Sequence, residues 1–453
     1  MKFRILFVLL VLLVSTASAQ NKWRRLIDAP TFGFAANPHN PRTLIVGGFG
    51  RTMYRSEDAG MTWRIDSIDF RSGTSRLSNV LIHRQDTNVV LAGGIFGSIV
   101  RSTDGGILWE TVFDPEKPTR FQMSGEALLS HPTNPNIMFT ADNISNRIFE
   151  SYDSGLTWDT IARLNLSGQQ LCAIAIRPDS ANIMLAGATS GLILKSVDTG
   201  RTWRQTAKLR GFSDTEVPRF VFSPNNPLIG YTIVAYFFYK NRPNGGVFKT
   251  IDGGETWNPI GFQDTSFWSV EVSRFPGKEE VYVGGFTDDL ADSIQHTIYG
   301  PGMVRHSPDG GESWTAIDDN IQWLPPTQID LAMKNVWMIK LVGNSRETEK
   351  LYMATDAGFF IWDNSIGVVE SEPQVNTPSM YVKGGRLVVK ANEAISSVNI
   401  FSIQGKRVFS SSAPVSQSQG EIIYNLPETM SSGVYYCMII TSQRIINRAI
   451  LVE

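Results

Sequence analysis

Short apolar stretches alternate with clusters of Asn, Pro, Asp and Gly along most of the chain. The run LLSHPTNPNIMFTADNISNRIFESYDSGLTWDTIARL shows the pattern, and AIAIRPDSANIMLAGATSGLILKSVDTGRTWRQTAKL repeats it. Each run holds an apolar strand, a turn rich in Asn and Pro, a second strand (IMFTA, IMLAG) and a third (RIFES, LILKS). A fourth strand opens at Trp. Short β-forming stretches bounded by turn residues predict four antiparallel strands per unit.

Between the third and fourth strands stands one phrase, written six times: RSEDAGMTW, RSTDGGILW, ESYDSGLTW, KSVDTGRTW, KTIDGGETW and HSPDGGESW. Its Asp residues fall at 58, 104, 153, 198, 252 and 309, a period of 45 to 57 residues. That period is the size of one propeller blade. First strands near Phe32, Leu77, Ala127, Leu171, Phe220, Trp268 and Val336 make seven units, one more than the phrases. The seventh unit has LYMATD and GFFIW but no closing Trp strand. The stretch Trp23-Arg24-Arg25-Leu26-Ile27 matches the missing strand, so the N-terminal segment is expected to complete the last blade and close the ring. Closure protects sheet edges from pairing with other chains.

The residue types of the phrase point to a structural role. An Asp in a tight hairpin accepts hydrogen bonds from N–H groups of its own loop. The Gly two positions later suits φ > 0. The Ser or Thr two positions earlier bonds locally, and the Trp supplies an apolar plate between blades. The further carboxylates of a calcium loop are absent.

The remaining composition narrows the rest. With 41 basic and 43 acidic residues among 453, the chain has no field to attract nucleic acid or an anionic membrane. Lys2 and Arg4, the apolar run from Ile5 to Val14, and Ala17-Ser18-Ala19 read as a secretory signal over residues 1–19, with cleavage before Gln20. That run is too short to span a bilayer, and no later stretch is long enough. The cysteines, Cys172 and Cys437, read as separate buried thiols rather than a disulfide framework. No Cys–His metal spacing, phosphate loop or nucleophile elbow appears, so neither metal nor cofactor is expected. His83 and His131 take turn positions where other units carry Asn37 and Arg177, and read as solvated turn residues.

Residues 20–370 are thus expected to form a seven-bladed propeller. From about Ser371 the character changes. SEPQVNTPS reads as a linker, and no Asp occurs from Val375 to Glu453. The strands RLVVKA, SVNIFSI, VYYCMII and NRAILVE predict a small β-sandwich over 371–453.

The six phrases resemble the Asp-box (BNR) repeat, S/T-x-D-x-G-x-x-W. This repeat occurs in sialidases, in the sortilin family, in photosystem II assembly factors and in xyloglucan-cleaving glycoside hydrolases. The resemblance implies an all-β, seven-bladed β-propeller whose boxes lie away from the ligand face. The C-terminal pieces SSVNIFSIQGKRVFSS, YNLPETMSSGVYYCMII and RIINRAILVE resemble the sorting domain of type IX secretion cargo in Gram-negative bacteria. Two departures are visible. TPSMYVKGG stands where that family has Y-P-N-P, and Arg444 and Arg448 replace its usual lysines. This resemblance implies the type IX machinery as partner and a cell-surface or extracellular location.

Function is expected on the face formed by the residues leading into the first strands: Phe32, Arg76, Glu126, Gln170, Arg219, Trp268 and Asn335. Two long insertions share that face, AYFFYKNRPNGG with Tyr236 and FTDDLADSIQHTIYGPG with Asp288 and Asp289. Aromatic faces with polar groups suit a glycan or a peptide. The leading expectation is a non-catalytic protein- or glycan-binding or assembly module. The alternative is a secreted glycoside hydrolase, sialidase-like or xyloglucanase-like, which needs two carboxylates roughly 5 to 10 Å apart, for example Glu126 with Asp288 or Asp289. The F/Y-R-I-P element of sialidases is absent, although Arg51, Arg76 and Arg219 could converge on a carboxylate.

Overall fold

The computed structural model describes residues 22–68, 76–95, 98–114, 125–209, 215–236, 245–263, 265–285, 304–318, 321, 335–363, 379–390, 394–402, 407–418, 421–441 and 445–452. The proposed signal segment, Asp288 and Asp289 lie outside them. The chain is all-β. Seven antiparallel sheets follow one another, and two further sheets come from the C-terminal segment.

Blade 1 runs outward through Thr31–Ala36, Leu44–Gly48, Thr52–Ser56 and Arg64–Ser67. The inner strands of blades 2 to 7 are Arg76–Ile82, Leu128–Ser130, Leu171–Arg177, Phe220–Phe222, Phe267–Val272 and Val336–Val342. Each inner strand neighbours the next, and that of blade 7 returns to that of blade 1. Blade 5 departs from the four-strand expectation: Thr215–Glu216 adds a fifth strand beside the end of Gly230–Tyr236.

The ring closes as the unpaired Trp strand predicts. Lys22–Ile27 pairs with Gly358–Asp363 as the outer strand of blade 7, setting Trp23 opposite Trp362 and Arg25 opposite Phe360. Trp23 is buried, meets Trp362 edge-on at 5.1 Å, and donates from Nε1 to the Ile317 carbonyl of blade 6 at 2.6 Å.

The phrase works as its residue types require. Ser56 Oγ donates to Asp58 Oδ1 at 2.8 Å and accepts from Gly60 N at 2.8 Å. Asp58 in turn accepts from Thr62 N at 2.9 Å and Thr62 Oγ1 at 2.6 Å. Gly60 sits at φ +89°, and Ala59 before it is also left-handed at +64°. Trp63 crosses to blade 7, meeting Phe359 at 5.8 Å. One feature was not expected from the residues. Except for His306, which lies 3.5 Å from Glu280 of its own blade, the residue opening each phrase clasps the next blade. Arg55 Nε donates to the Gly105 carbonyl at 2.8 Å, Arg101 Nε to that of Ser154 at 3.1 Å, and Lys249 Nζ to that of Gly310 at 2.9 Å. Lys195 instead pairs with Glu255 at 2.8 Å.

The reading of His83 as a solvated turn residue is corrected. It is buried; its Nδ1 accepts from Gln85 N and Asp86 N at 3.2 and 2.9 Å, and Nε2 lies 3.1 Å from Asn136 Oδ1 of blade 3. An imidazole here does what Asn37 Oδ1 does in blade 1, where it accepts from His39 N and Asn40 N. Both are side-chain acceptors that close a turn.

The C-terminal segment forms two four-stranded sheets. In the first, Ser379–Lys383, Arg386–Lys390, Glu421–Asn425 and Ser416–Ser418 lie side by side. In the second, Ile395–Ser402 lies between Arg407–Ser411 and Gly433–Thr441, and Ile445–Val452 is last. Leu387, Val389, Val398, Ile400, Tyr424 and Ile439 fill the space between them. Neither cysteine is in a disulfide, both are buried, and burial pushes the Cys437 thiol up to about 12.

Candidate functional site

Seven inner strands meeting at an axis bring side chains from distant parts of the chain together. The described residues around the axis line a small pocket that opens to solvent. Phe32, Arg76, Glu126, Arg219 and Trp268, five of the residues expected there, line it; Ser78, Pro218, Trp337 and Met338 join them.

Glu126 owes its position to backbone contacts. Gly125 approaches blade 5 so closely that a Cβ would lie 2.2 Å from the Pro218 carbonyl. Gly125 N donates to the Cys172 carbonyl and Glu126 N to that of Pro218, both at 3.0 Å. Asn79 of blade 2 braces the same segment, donating to the Gly125 carbonyl at 3.0 Å and accepting from Ala127 N at 2.9 Å. The lead-in to blade 3 is thereby tied to three neighbours.

Around Glu126 stands a charge cluster drawn from four blades. Arg219 Nε lies 3.3 Å from Glu126 Oε2, and Arg219 Nη2 donates to Glu271 Oε2 at 3.0 Å. Lys340 Nζ lies 3.4 Å from Glu126 Oε1. Glu271 Oε1 also accepts from Leu341 N at 3.4 Å. Burial disfavours the ionised form of both acids, but the outcomes differ. For Glu126, Arg219 and Lys340 more than offset burial and hold the carboxyl below its usual range. For Glu271, burial wins and pushes it up, despite Arg219 and Lys340. Lys340 is pushed down by burial, which outweighs its attraction to Glu126.

An aromatic wall completes the cavity. Trp337 meets Trp268 at 5.5 Å and Phe32 at 5.6 Å. The Arg76 guanidinium lies over Trp337 at 4.7 Å and over Phe32 at 5.6 Å. Asp356 fixes Trp337 by accepting from its Nε1 at 2.7 Å and from Asn335 N at 3.2 Å. Burial pushes the Asp356 carboxyl up, with Trp337 and Arg76 opposing. Asn335, expected at the axis, is buried and serves this anchor.

Two expected residues lie elsewhere. Gln170 is exposed and does not line the cavity; its carbonyl accepts from Thr189 N at 2.8 Å, so its backbone closes a loop of blade 4. Tyr236 is half-buried at the end of Gly230–Tyr236, opposite Thr215 on the added strand, and is likewise not among the lining residues. Arg51, considered with Arg76 and Arg219, is also absent from the lining. Residues missed at the sequence level include Glu271, Lys340, Trp337 and Asp356. Glu271 and Lys340 fall inside apolar runs, FWSVEV and VWMIKLV. A charge within such a strand is costly to bury unpaired, and that signal marked both.

No group of three or more metal-ligating side chains occurs among the described residues, and no helix there is long and apolar enough to cross a membrane.

No family model matches the chain. Among curated proteins it is similar to a xyloglucanase of Hypocrea jecorina (strain QM6a), 20% identical, with 67% of this chain and 49% of that protein covered. It is also similar to the xyloglucanase Xgh74A of Acetivibrio thermocellus, 22% identical, with 47% and 29% covered. The chain thus spans half or less of the curated relatives it matches. Two solved structures share the fold. The GH74 enzyme of Niastella koreensis has a TM-score of 0.55 and 15% identity, with 94% of this chain and 73% of that one covered. YCF48 bound to a D1 peptide has a TM-score of 0.52 and 16% identity, with 76% and 97% covered.

Proposed function

We propose that this chain is an exported, polysaccharide-directed propeller with glycoside hydrolase activity, and that xyloglucan is the first substrate to test. The observation that carries the reading is the sequence similarity to xyloglucanases across two thirds of the chain. The axial cavity supports it. It is lined by Phe32, Trp268 and Trp337 and by an ionised carboxylate, Glu126, that keeps 21% of its side chain exposed. In this reading Glu126 activates water, and a second carboxylate protonates the leaving oxygen. Glu271, pushed toward its neutral form, and Asp288 are the residues to test for the second role.

A non-catalytic binding module is the second reading. It is favoured by the pairing of Glu126 with Arg219 and Lys340, and by the absence of Glu271 from the cavity lining. Routing by the type IX machinery through residues 371–453 belongs to the proposal as well, and rests on the terminal strands described above.

The test is release of reducing ends from xyloglucan by the purified mature chain, beside retention on an immobilised-xyloglucan column. Turnover lost in Glu126→Gln supports hydrolysis. Retention without turnover establishes the binding reading. Neither turnover nor retention rejects a xyloglucan-directed function.

A further inference from the structure

The charged residues that line the cavity are two guanidinium groups, Arg76 and Arg219, and one carboxylate, Glu126. One donor also lacks an acceptor: Nη1 of Arg219 is buried and without a hydrogen-bond partner among the described residues. Arg219 is only 4% exposed, yet it lines the cavity. A buried guanidinium N–H without an acceptor is costly. The cost is relieved when an acceptor enters from the open side.

We propose that the axial cavity is an anion subsite that takes the carboxylate of a uronic acid residue, so that the polysaccharide engaged here is an acidic one. The inference rests on the polysaccharide-directed reading above and narrows its ligand class. Arg219 supplies the buried donor, and Arg76 stands at the wall. Arg76 already lies against Trp337 and Phe32, which holds its guanidinium plane flat over the aromatic pair. Planar guanidinium groups match carboxylates in shape and in donor spacing. Glu126, whose oxygens meet Arg219 and Lys340, accepts from a ring hydroxyl rather than binding the carboxylate.

The experiment is titration calorimetry of the full mature chain with methyl β-glucuronide and with methyl β-glucoside, repeated in Arg76→Gln and Arg219→Gln. N-acetylglycine serves as a carboxylate without a sugar, and the immobilised-xyloglucan column is run in parallel. The expected result is binding of the glucuronide about tenfold tighter than the glucoside, the low end for a charge-assisted contact. Each variant should lose that preference while its melting curve stays cooperative. Equal affinity for the two glycosides overturns the subsite, and so does a preference that survives both variants. N-acetylglycine binding as tightly as the glucuronide overturns the sugar assignment in favour of a peptide terminus. Xyloglucan retention without a uronide preference refutes this inference and leaves the polysaccharide reading standing. Failure with every saccharide removes both. The wild-type comparison decides the matter even if a variant does not fold.

Discussion

Replacing Trp23 by Ala tests whether the N-terminal strand closes the ring. Trp23 is 5% exposed, stacks edge-on against Trp362, and donates to the Ile317 carbonyl at 2.6 Å. A buried Trp→Ala change costs about 3–5 kcal/mol from lost burial and the cavity left behind. The lost hydrogen bond lies inside that range, since the carbonyl of Ile317 then has no donor. In a propeller the loss is not local. Lys22–Ile27 is the outer strand of blade 7, and without it the edge of Gly358–Asp363 is open. For a ring of this size each kcal/mol lowers the melting temperature by roughly 2–3 °C, so the expected fall is about 6–15 °C. The assay is thermal unfolding of the mature chain by circular dichroism, with Leu108→Ala as control. Leu108 is 73% exposed, and such surface changes stay within about 0.5 kcal/mol. Backbone amide exchange should also quicken in Gly358–Asp363. Equal melting temperatures for the two variants, with unchanged exchange in that strand, would refute the closure argument.

The axial acids should respond unequally to loss of charge. Glu126→Gln leaves Arg219 and Lys340 short of a counter-charge and should cost about 3 kcal/mol. Glu271→Gln keeps the hydrogen-bonding shape of a group already pushed toward neutrality, and should cost much less; urea unfolding of both variants reads the difference. The phrase aspartates should set an acid limb. Hydrogen bonds from Thr62 and Ser313 hold Asp58 and Asp309 at about 2, and those from Thr202 and Thr256 outweigh burial to do the same for Asp198 and Asp252. Their folded values lie below the ordinary carboxylate value. The stabilisation is thus full above about pH 4 and drains away as the pH falls through about 2. In urea midpoints followed from pH 6 to pH 2, the gap between the wild-type chain and Asp58→Asn should therefore narrow on acidification; a gap that stays constant would remove the aspartates from the acid limb.

Much of the architecture was written locally. The phrase is self-contained: Ser, Asp, Gly and Trp satisfy one another within nine residues, so six copies announced six hairpins wherever the chain led. The strand lengths and turn residues set the blade period. The absence of a Trp strand from the seventh unit, and its presence at Trp23, announced the closure. Lead-in residues such as Arg76, Glu126 and Arg219 were legible as axial because every unit places its first strand innermost. Only the tertiary structure decided what they meet. The contacts of Glu126 with Arg219 and Lys340, and of Arg219 with Glu271, join residues far apart in the chain, and nothing in the local pattern specifies them. Gln170 followed the same rule of position as Glu126, yet the loop after Leu166 turns it to solvent, whereas Gly125 lets Glu126 press against Pro218. His83 shows the same division. Its turn position was legible, but its burial against Asn136 depends on blade 3 packing beside it. Local hydrogen bonding is a property of sequence spacing; the ionisation of the axial acids is a property of which charges the closed ring brings together and how far it excludes water.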